Sequence, residues 1–282
     1  MSVEIAEPAP GEVGPPPQVQ VKRSAKEVLN RYLPLISSVV MLVVFIGVWE
    51  FLVAVVGVSK FLLPSPLSVA GAIGDLFSDG EIWTDLRVTL TEIVVGFAIA
   101  LVGGVMLGAL LGKVRWLERA TQPGMVAFQV VPKVALVPLF VIWFGFGMTS
   151  KIVIAAIIAF FPVTLNVLLG VRSVDRGHQD VMRGLGASRW ATFRNLELPS
   201  TLPYVFAGAE VSIVFAVIGA IVGEYLGGSQ GLGYLIVISL NQLDAPKLFA
   251  TIVVLTALGT ILFLAVSLTK RFVIPWHESI AT

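Results

Sequence analysis

Few residues in this chain have side chains suited to covalent or metal chemistry. Cysteine is absent, and the two histidines, His178 and His277, lie far apart in the sequence. Thiol nucleophiles and thiolate metal sites are therefore excluded, and no histidine–zinc motif or Gly-x-Ser-x-Gly elbow is present. The run GALLGKV at residues 108–114 lacks the spacing and the hydroxyl of a phosphate-binding loop. The sequence predicts no enzyme, and no cofactor or metal bound by this chain.

The residues whose side chains could have a chemical role are instead single charges inside long apolar segments. Lys133 lies within such a segment, between Pro132 and Pro138. An intramembrane lysine is costly and points to function, so Lys133 and Pro132 are predicted on a translocation path that suits a small anion. The alternative is a structural lysine that reaches the membrane interface or pairs with an acid of another segment. The candidate acids are Glu50, Glu92 and Glu210.

Three further residues are candidates for the path or its gate. Glu210 lies inside another apolar run and is predicted to face the cavity or to pair with Lys133. Phe144 is predicted to line a gate, with an aromatic belt at the membrane interface as the alternative. Glu224 precedes a glycine-rich run at residues 227–233. We predict it on the surface, with a role in gating as the alternative.

The composition predicts the scaffold that must position these residues. The chain is 56% hydrophobic and 13% charged, with a mean hydropathy of +0.92. Soluble domains carry about 25% charged residues. A spanning helix needs roughly 20 apolar residues, and six segments reach that length, which predicts an all-α polytopic membrane protein. The six predicted spans cover about residues 33–58, 88–112, 121–145, 152–171, 202–223 and 248–269.

Polar segments at the two ends bound the membrane domain. Residues 1–28 are rich in Pro, Glu, Gly and Val and are predicted to be a disordered tail, because they cannot bury enough apolar surface to fold. Residues 29–275 form the predicted membrane domain. Residues 276–282 form a short C-terminal tail.

The distribution of Lys and Arg predicts the orientation. Fourteen of the nineteen basic residues flank one side of the predicted spans, and four flank the other. Cytoplasmic loops carry an excess of Lys and Arg. Both termini and the long polar loop at residues 175–203 are therefore predicted to lie in the cytoplasm.

Glycines recur at every fourth position in the second predicted span, at Gly104, Gly108 and Gly112. Residues four apart share one helix face, and small residues there let a second helix approach closely. We predict packing against another helix of the same chain, with a dimer interface as the alternative.

The 175–203 loop is predicted to hold two short helices around a turn. Gly184 and Gly186 mark the break, because glycine adopts the positive φ that ends a helix. Ser188 is predicted to cap the second helix, which runs from about residue 189 to 196. The pair Leu198–Pro199 is predicted to end that helix, since proline cannot continue it.

The 175–203 loop resembles the signature E-A-A-x3-G-x9-I-x-L-P of permeases from ATP-binding-cassette importers. Asp180, Val181 and Met182 occupy its first three positions, and Gly186 follows at the right spacing. After nine intervening residues come Leu196, Glu197, Leu198 and Pro199, which complete the signature. Asp180 and Leu196 are conservative replacements, whereas Val181 and Met182 depart from the paired alanines.

Other segments resemble the nitrate, sulfonate and taurine type of these permeases. The run VPKVALVPLFVIWFGFG at residues 131–147 resembles their third span. The run GEYLGGSQGLGYLI at residues 223–236 resembles the end of their fifth span, and FLLPSPLSV at residues 61–69 resembles the segment after their first. The resemblance covers most of residues 35–275.

The resemblance implies a type I importer permease fold in a bacterial inner membrane. A second copy would form a homodimer, two ATPase subunits would carry ATP and Mg²⁺, and an extracytoplasmic binding protein would deliver the solute. No nucleic acid is implied, and the chain contacts membrane lipid. The resemblance also implies that the 175–203 loop couples the permease to the ATPase. The residues expected at that contact are Asp180, Met182, Gly186, Ala187, Ser188, Arg189, Leu198 and Pro199.

Several alternatives stay open from the sequence alone. The solute is predicted to be a small anion such as a sulfonate, nitrate or carboxylate, with a thiamine-precursor or flavin-like heterocycle as the alternative. An ion-coupled secondary transporter would need an inverted repeat, which is not visible. A membrane enzyme would need several polar residues at one depth. A solvated loop without a partner is the plain alternative to coupling.

Overall fold

A computed structural model of the protein describes residues 25–80 and 82–276, with no account of the side chains of residues 25–32, 34 and 35. The predicted disordered tail lies outside the described residues up to residue 24, and the predicted C-terminal tail lies outside them from residue 277. Residues 25–28 already belong to the first helix.

The described residues form helices and no strands, which confirms the all-α prediction. The helices, in chain order, are α1 (Ala25–Ala54), α2 (Pro66–Ser78), α3 (Ile82–Lys113), α4 (Arg115–Val130), α5 (Val137–Phe144), α6 (Met148–Arg172), α7 (Arg176–Gly184), α8 (Arg189–Thr192), α9 (Leu198–Gly227), α10 (Leu232–Asn241) and α11 (Ala245–Val273). A 3₁₀ turn, Lys133–Leu136, precedes α5, and a π-helical turn, Phe193–Glu197, precedes α9.

Five helical runs among the described residues are long and apolar enough to cross a membrane. They are Ile36–Ala54, Ile82–Lys113, Met148–Arg172, Arg189–Gly227 and Ala245–Val273. The sixth candidate is a bent pair, Arg115–Val130 with Lys133–Phe144, whose two parts meet at 83°. The prediction of a polytopic membrane protein is confirmed.

The third predicted span, residues 121–145, is therefore broken rather than continuous. Val131 is extended at φ −61° and ψ 126°, and Pro132 follows it at φ −69° and ψ 91°. The pyrrolidine ring disfavours helical geometry in the residue before it and removes a backbone donor, so α4 ends here. Pro138 then stands in the first turn of α5, where the missing N–H has no cost.

The chain divides into two units, residues 1–51 and residues 52–282. In the second unit α3 packs along α6, and α6 packs along α9. The fully buried Ile93 of α3, Ala155 of α6 and Ala216 of α9 belong to this three-helix core. Helix α11 packs on α2, α9 and α10 and completes the unit.

The glycine stripe of α3 forms a close helix–helix contact in this core. A Cβ added at Gly104 would lie 2.8 Å from the Cβ of Val163, and one at Gly112 would lie 2.7 Å from the Cβ of Val171. Both valines are on α6, so α3 and α6 approach too closely for any larger residue. The prediction that these glycines pack within the chain is confirmed.

Candidate functional site

The 175–203 loop begins with a capped helix. The side chain of Asp175 accepts a hydrogen bond from the backbone N–H of His178 at 3.0 Å, as an N-cap of α7. The backbone N–H groups of His178 and Gly177 hold the pKa of the Asp175 carboxyl below its usual range. The start of α7 is thus fixed by a local electrostatic contact.

Gly186 makes the turn between the two short helices. It has a φ of +68°. The N–H of Gly186 donates to the carbonyl of Arg183 at 2.9 Å, and the N–H of Ala187 donates to the carbonyl of Met182 at 3.0 Å. This pair of bonds is the Schellman motif, whose left-handed residue is usually glycine. The predicted break is confirmed, with Gly184 as the last residue of α7.

Ser188 starts the second short helix as predicted. Its hydroxyl oxygen accepts a hydrogen bond from the N–H of Ala191 at 3.2 Å. The predicted end of this helix at Leu198–Pro199 is wrong, because the chain runs on through the π-helical turn into α9. The N–H of Leu198 donates to the carbonyl of Phe193, five residues back. This wider turn accommodates Pro199, which lacks an N–H and would clash in a regular α-helical turn.

The 175–203 loop exposes apolar side chains between charged ones. Val181 is 59% exposed, Leu185 77% and Trp190 67%. An ion pair joins Asp180 and Arg183 at 3.1 Å on the same surface. Of the residues expected at the ATPase contact, Asp180, Gly186, Ser188, Arg189 and Leu198 are exposed, and Met182, Ala187 and Pro199 are half-buried. Grouped apolar side chains on an exposed loop are typical of a protein-binding surface.

The π-helical turn is tied to the end of α3. Lys113 forms an ion pair with Glu197 at 2.9 Å, and its ammonium lies 5.2 Å from the ring centroid of Phe193. Thr201 donates to the Glu197 carbonyl at 2.7 Å. A displacement of α8 would therefore act on α3 and α9 together.

Lys133 lies at the break between α4 and α5 and is satisfied locally. Its ammonium lies 3.4 Å from the carbonyl oxygen of Gln129, and 5.9 and 5.7 Å from the ring centroids of Phe128 and Phe161. These two rings stack at 4.7 Å. Lys133 is half-buried.

Two of the three acids predicted as partners of Lys133 have other partners. Glu210 of α9 pairs with Lys270 of α11 at 3.5 Å, and Glu92 of α3 pairs with Lys151 of α6 at 3.2 Å. The predicted pairing of Lys133 with either acid is therefore wrong.

Pro132 and Phe144 stand at the two ends of the bent segment. Pro132 is exposed and caps the 3₁₀ turn, and Phe144 is the last residue of α5, 6.4 Å from Phe140 between ring centroids. Their place on a translocation path stays a prediction.

A buried charge cluster, formed by Thr89, Glu92, Lys151 and Glu224, joins α3, α6 and α9. All four residues are buried. Lys151 pairs with Glu92, and Thr89 donates to the Glu224 carboxylate at 2.6 Å. Two carboxylates around one ammonium inside an apolar core is a costly arrangement unless each group is held by hydrogen bonds.

The glycine-rich run after α9 folds over this buried charge cluster. Gly233 donates its N–H to the Glu224 carboxylate at 2.6 Å, and Leu232 donates to the Thr89 hydroxyl at 2.8 Å. Lys151 donates to the carbonyl of Gln230 at 3.2 Å. Segment 228–233 is thereby hydrogen-bonded to three helices.

Gly231 shows why the run is rich in glycine. Its φ is +109°, its N–H donates to Asp85 at 2.7 Å, and an added Cβ would overlap the Glu224 carboxylate. The prediction that Glu224 lies on the surface is wrong, because the backbone of this run covers it. The overlooked signal was an acid in the last turn of a long apolar helix, followed at once by glycines whose N–H groups can approach it.

Comparison with known proteins identifies the family of this chain. Residues 100–274 match the family described as binding-protein-dependent transport system inner membrane component. The chain belongs to that family. This permease is a multi-pass inner-membrane transport component of the ATP-binding-cassette importers, of the nitrate, sulfonate and taurine type, and not an enzyme.

Curated relatives cover most of this permease. It is 37% identical to the formylaminopyrimidine transport permease protein ThiX of Halalkalibacterium halodurans, over 82% of this chain and 92% of the relative. It is 34% identical to the riboflavin transport system permease protein RibX of Chloroflexus aurantiacus, over 87% and 92%. It is 31% identical to the putative aliphatic sulfonates transport permease protein SsuC of Bacillus subtilis, over 84% and 86%.

A solved structure shares the fold of this permease. A chain of the MetNI methionine ABC transporter in an inward-facing conformation superimposes with a TM-score of 0.51 at 23% identity. The match covers 68% of this permease and 93% of the other chain. The predicted type I importer permease fold is confirmed.

Proposed function

We propose that this permease forms the translocation path of the importer and receives its driving force through the 175–203 loop. The observation that carries this proposal is the continuity of the helical run Arg189–Gly227, which connects the exposed short helix α8 to the buried charge cluster. The loop is held by two caps and a Schellman turn, so it would move as a rigid body.

ATP and Mg²⁺ belong to the partner ATPase in this proposal, and this chain binds no cofactor. Val181, Leu185 and Trp190 would insert into the ATPase subunit, flanked by Asp180 and Arg189. Exposed aromatic and aliphatic side chains of this kind dominate binding energy at protein interfaces. Closure of the ATPase pair would rotate α8 and, through Lys113 and Glu197, displace α3 and α9.

The assembly we propose contains two copies of this permease, two ATPase subunits and an extracytoplasmic binding protein. Both termini and the 175–203 loop lie in the cytoplasm, which the excess of Lys and Arg on that side supports. Membrane lipid surrounds the exposed apolar faces of the helices.

For the solute, we propose a planar nitrogen heterocycle. The relatives ThiX and RibX, at 37% and 34% identity, carry names that refer to formylaminopyrimidine and riboflavin. Lys133, the residue that suggested an anion, has its ammonium against a carbonyl oxygen and two aromatic faces. A small anion is the second candidate, supported by the sulfonate relative SsuC and by the half-buried charge of Lys133.

The coupling proposal is tested by comparing Gly186→Val with Gly184→Ala. Valine is strained at the positive φ of Gly186, by about 1–3 kcal/mol. An alanine Cβ at Gly184 meets no atom within 4 Å. We expect Gly186→Val to lose co-purified ATPase and ATP-dependent uptake while remaining in the membrane, and Gly184→Ala to retain both. Normal uptake by Gly186→Val would contradict the proposal.

The solute proposal needs a separate measurement. Thermal shift of the partner binding protein against a pyrimidine, a flavin, a sulfonate and nitrate identifies its ligand class. Uptake of that ligand by the reconstituted complex then tests the permease. We expect stabilisation and uptake with a heterocycle, and Lys133→Met should leave uptake largely intact. Stabilisation by a sulfonate or nitrate, with uptake lost in Lys133→Met, would favour the anion.

A further inference from the structure

A second site lies at the end of the bundle where α3, α4 and α6 meet α7. A cavity of about 560 Å³ opens there, and its basic lining is Arg115, Arg119, Arg172 and Arg176. We call it the arginine pocket. Its volume is within the range of small-ligand sites. Its lining includes neither Lys133 nor any residue of the buried charge cluster.

The charge balance of the arginine pocket is strongly positive. Glu118 is the acid in its lining, and it forms an ion pair with Arg172. Arg115, Arg119 and Arg176 form no salt bridge with the described residues. Asp175 adjoins the pocket in sequence, but its carboxylate accepts the N–H of His178 as the cap of α7. Three guanidinium groups that line one cavity therefore have no acidic partner among the described residues.

Backbone groups add to this preference for negative charge. Helix α4 begins at the pocket with Arg115, and its N-cap, Val114, provides no side-chain hydrogen bond. The N–H groups of the first turn of a helix carry partial positive charge and bind anions when no side chain caps them. The guanidinium groups can bind phosphate oxygens in a bidentate manner.

The surroundings of the pocket favour a lipid over a dissolved anion. Trp116, next to Arg115 on α4, is 71% exposed. Tryptophan is enriched at the level of lipid headgroups. The pocket also lies at the ends of α3 and α6, two helices that are long and apolar enough to span a membrane. Basic pockets between spanning helices are typical binding sites for anionic headgroups.

We propose that the arginine pocket binds the phosphate headgroup of an anionic phospholipid at the membrane interface. Arg115, Arg119 and Arg176 would hold the phosphate, and the first turn of α4 would donate its N–H groups. Trp116 would lie along the glycerol and the upper acyl chain. Because α7 opens the 175–203 loop, a bound lipid would also brace the start of that loop.

The test uses the full complex with its ATPase, purified in a neutral detergent. Phosphatidylglycerol, phosphatidylcholine and inorganic phosphate are titrated separately, and binding is measured by native mass spectrometry and by the melting temperature. The phosphatidylglycerol titration is repeated on the permease without its ATPase. The pocket variant is Arg115→Gln/Arg119→Gln. The matched control is Arg271→Gln, an exposed arginine near the end of α11, outside the pocket. The charge-conserving variant Arg115→Lys/Arg119→Lys separates lost charge from damaged folding.

We expect phosphatidylglycerol to bind and stabilise the complex, and phosphatidylcholine to do neither. The double glutamine variant loses two of the three charges that hold the phosphate, so it should weaken phosphatidylglycerol binding by about tenfold or more. Arg271→Gln should change it by less than about twofold, since its charge is remote. The double lysine variant should keep most of the affinity.

Four results would overturn the proposal. Phosphatidylglycerol could bind equally to the double glutamine variant, or lose affinity equally in Arg271→Gln. Inorganic phosphate could match phosphatidylglycerol at equal concentration, which would make the ligand a dissolved anion. Phosphatidylglycerol could bind the isolated permease but not the complex, which would make the pocket an ATPase contact.

Discussion

Helix α9 connects two regions that are built in opposite ways. At its Gly227 end, the buried charge cluster holds segment 228–233 through hydrogen bonds with three helices. At its other end, the π-helical turn and α8 lead to a loop whose apolar side chains are exposed. One end is closed by interactions within the chain, and the other end presents a surface that the chain itself does not cover.

This difference indicates where each kind of change should act. Substitutions in the buried charge cluster should reduce stability, because they leave charges unpaired in an apolar core. Substitutions in the 175–203 loop should leave the fold intact and affect contact with a partner. The following predictions test that contrast, from the largest expected effect to the smallest.

Removing the ammonium of Lys151 should lower the stability of the fold more than any of the following substitutions. Lys151→Met keeps the length of the side chain but leaves Glu92 and Glu224 without their cation. Breaking a buried ion pair in this way costs about 3–5 kcal/mol. We expect a matching drop in the free energy of unfolding, measured by titration with sodium dodecyl sulfate in mixed micelles. Lys60→Met, at an exposed lysine, is the control. Equal stability of the two variants would show that the buried charge cluster does not stabilise the core.

A methyl group at Gly231 should displace segment 228–233, which covers the buried charge cluster. Gly231→Ala combines an unfavourable φ of +109° with overlap against the Glu224 carboxylate. A strained backbone residue costs about 1–3 kcal/mol, and segment 228–233 should detach from the cluster. Hydrogen exchange at Leu232 and Gly233 would accelerate if this is correct. Gly74→Ala, where a Cβ meets no atom within 4 Å, should change neither exchange nor stability.

Loss of the Ser188 cap should have a smaller and more local effect. Ser188→Ala removes the acceptor for the Ala191 N–H, and N-cap losses cost typically about 1 kcal/mol. We expect faster hydrogen exchange in α8 and reduced ATP-dependent uptake, with unchanged unfolding of the membrane core. Ser188→Asp, which restores an acceptor, should recover protection of α8. A global loss of stability in Ser188→Ala would contradict the proposed contrast between the two ends of α9.

The cap at Asp175 should give the smallest effect, visible as a dependence on pH. Its pKa is held below the usual value of 3.8 in the folded loop, so its stabilising contribution is fully present above that value. The contribution is lost as the pH falls through the depressed pKa, when the carboxyl is protonated. Exchange of the His178 N–H, corrected for intrinsic rates, should therefore accelerate only in strongly acidic solution. In Asp175→Asn, an uncharged cap, the extra pH dependence should disappear.

The sequence was a good guide to features set by local chemistry. Apolar length predicted the spanning helices, Gly186 and Ser188 predicted the turn and the cap, and glycine spacing on α3 predicted close packing within the chain. Each of these depends on residues near one another or on one helix face. The angle of the break at Pro132 was not predicted, since it depends on how α5 packs against α6 and α9.

Features set by contacts between distant residues were predicted poorly. Lys151 and Glu92 are 59 positions apart in the printed sequence, and nothing local identifies them as partners. Glu224 was placed on the surface because a charge near a helix end usually lies there, whereas segment 228–233 folds back over it. At Pro199 a general rule failed, because a π-helical turn replaced the expected helix end.

The most direct test of coupling through the 175–203 loop uses the absence of cysteine from the natural chain. A single cysteine at Val181, on the exposed loop, is compared with one at Lys60, with a short photoactivatable crosslinker attached to each thiol. We predict that Val181→Cys crosslinks to the ATPase subunit of the native complex, with a yield that changes when ATP binds, and that Lys60→Cys does not. Failure of Val181→Cys to crosslink, or an equal yield from both positions, would contradict coupling through this loop.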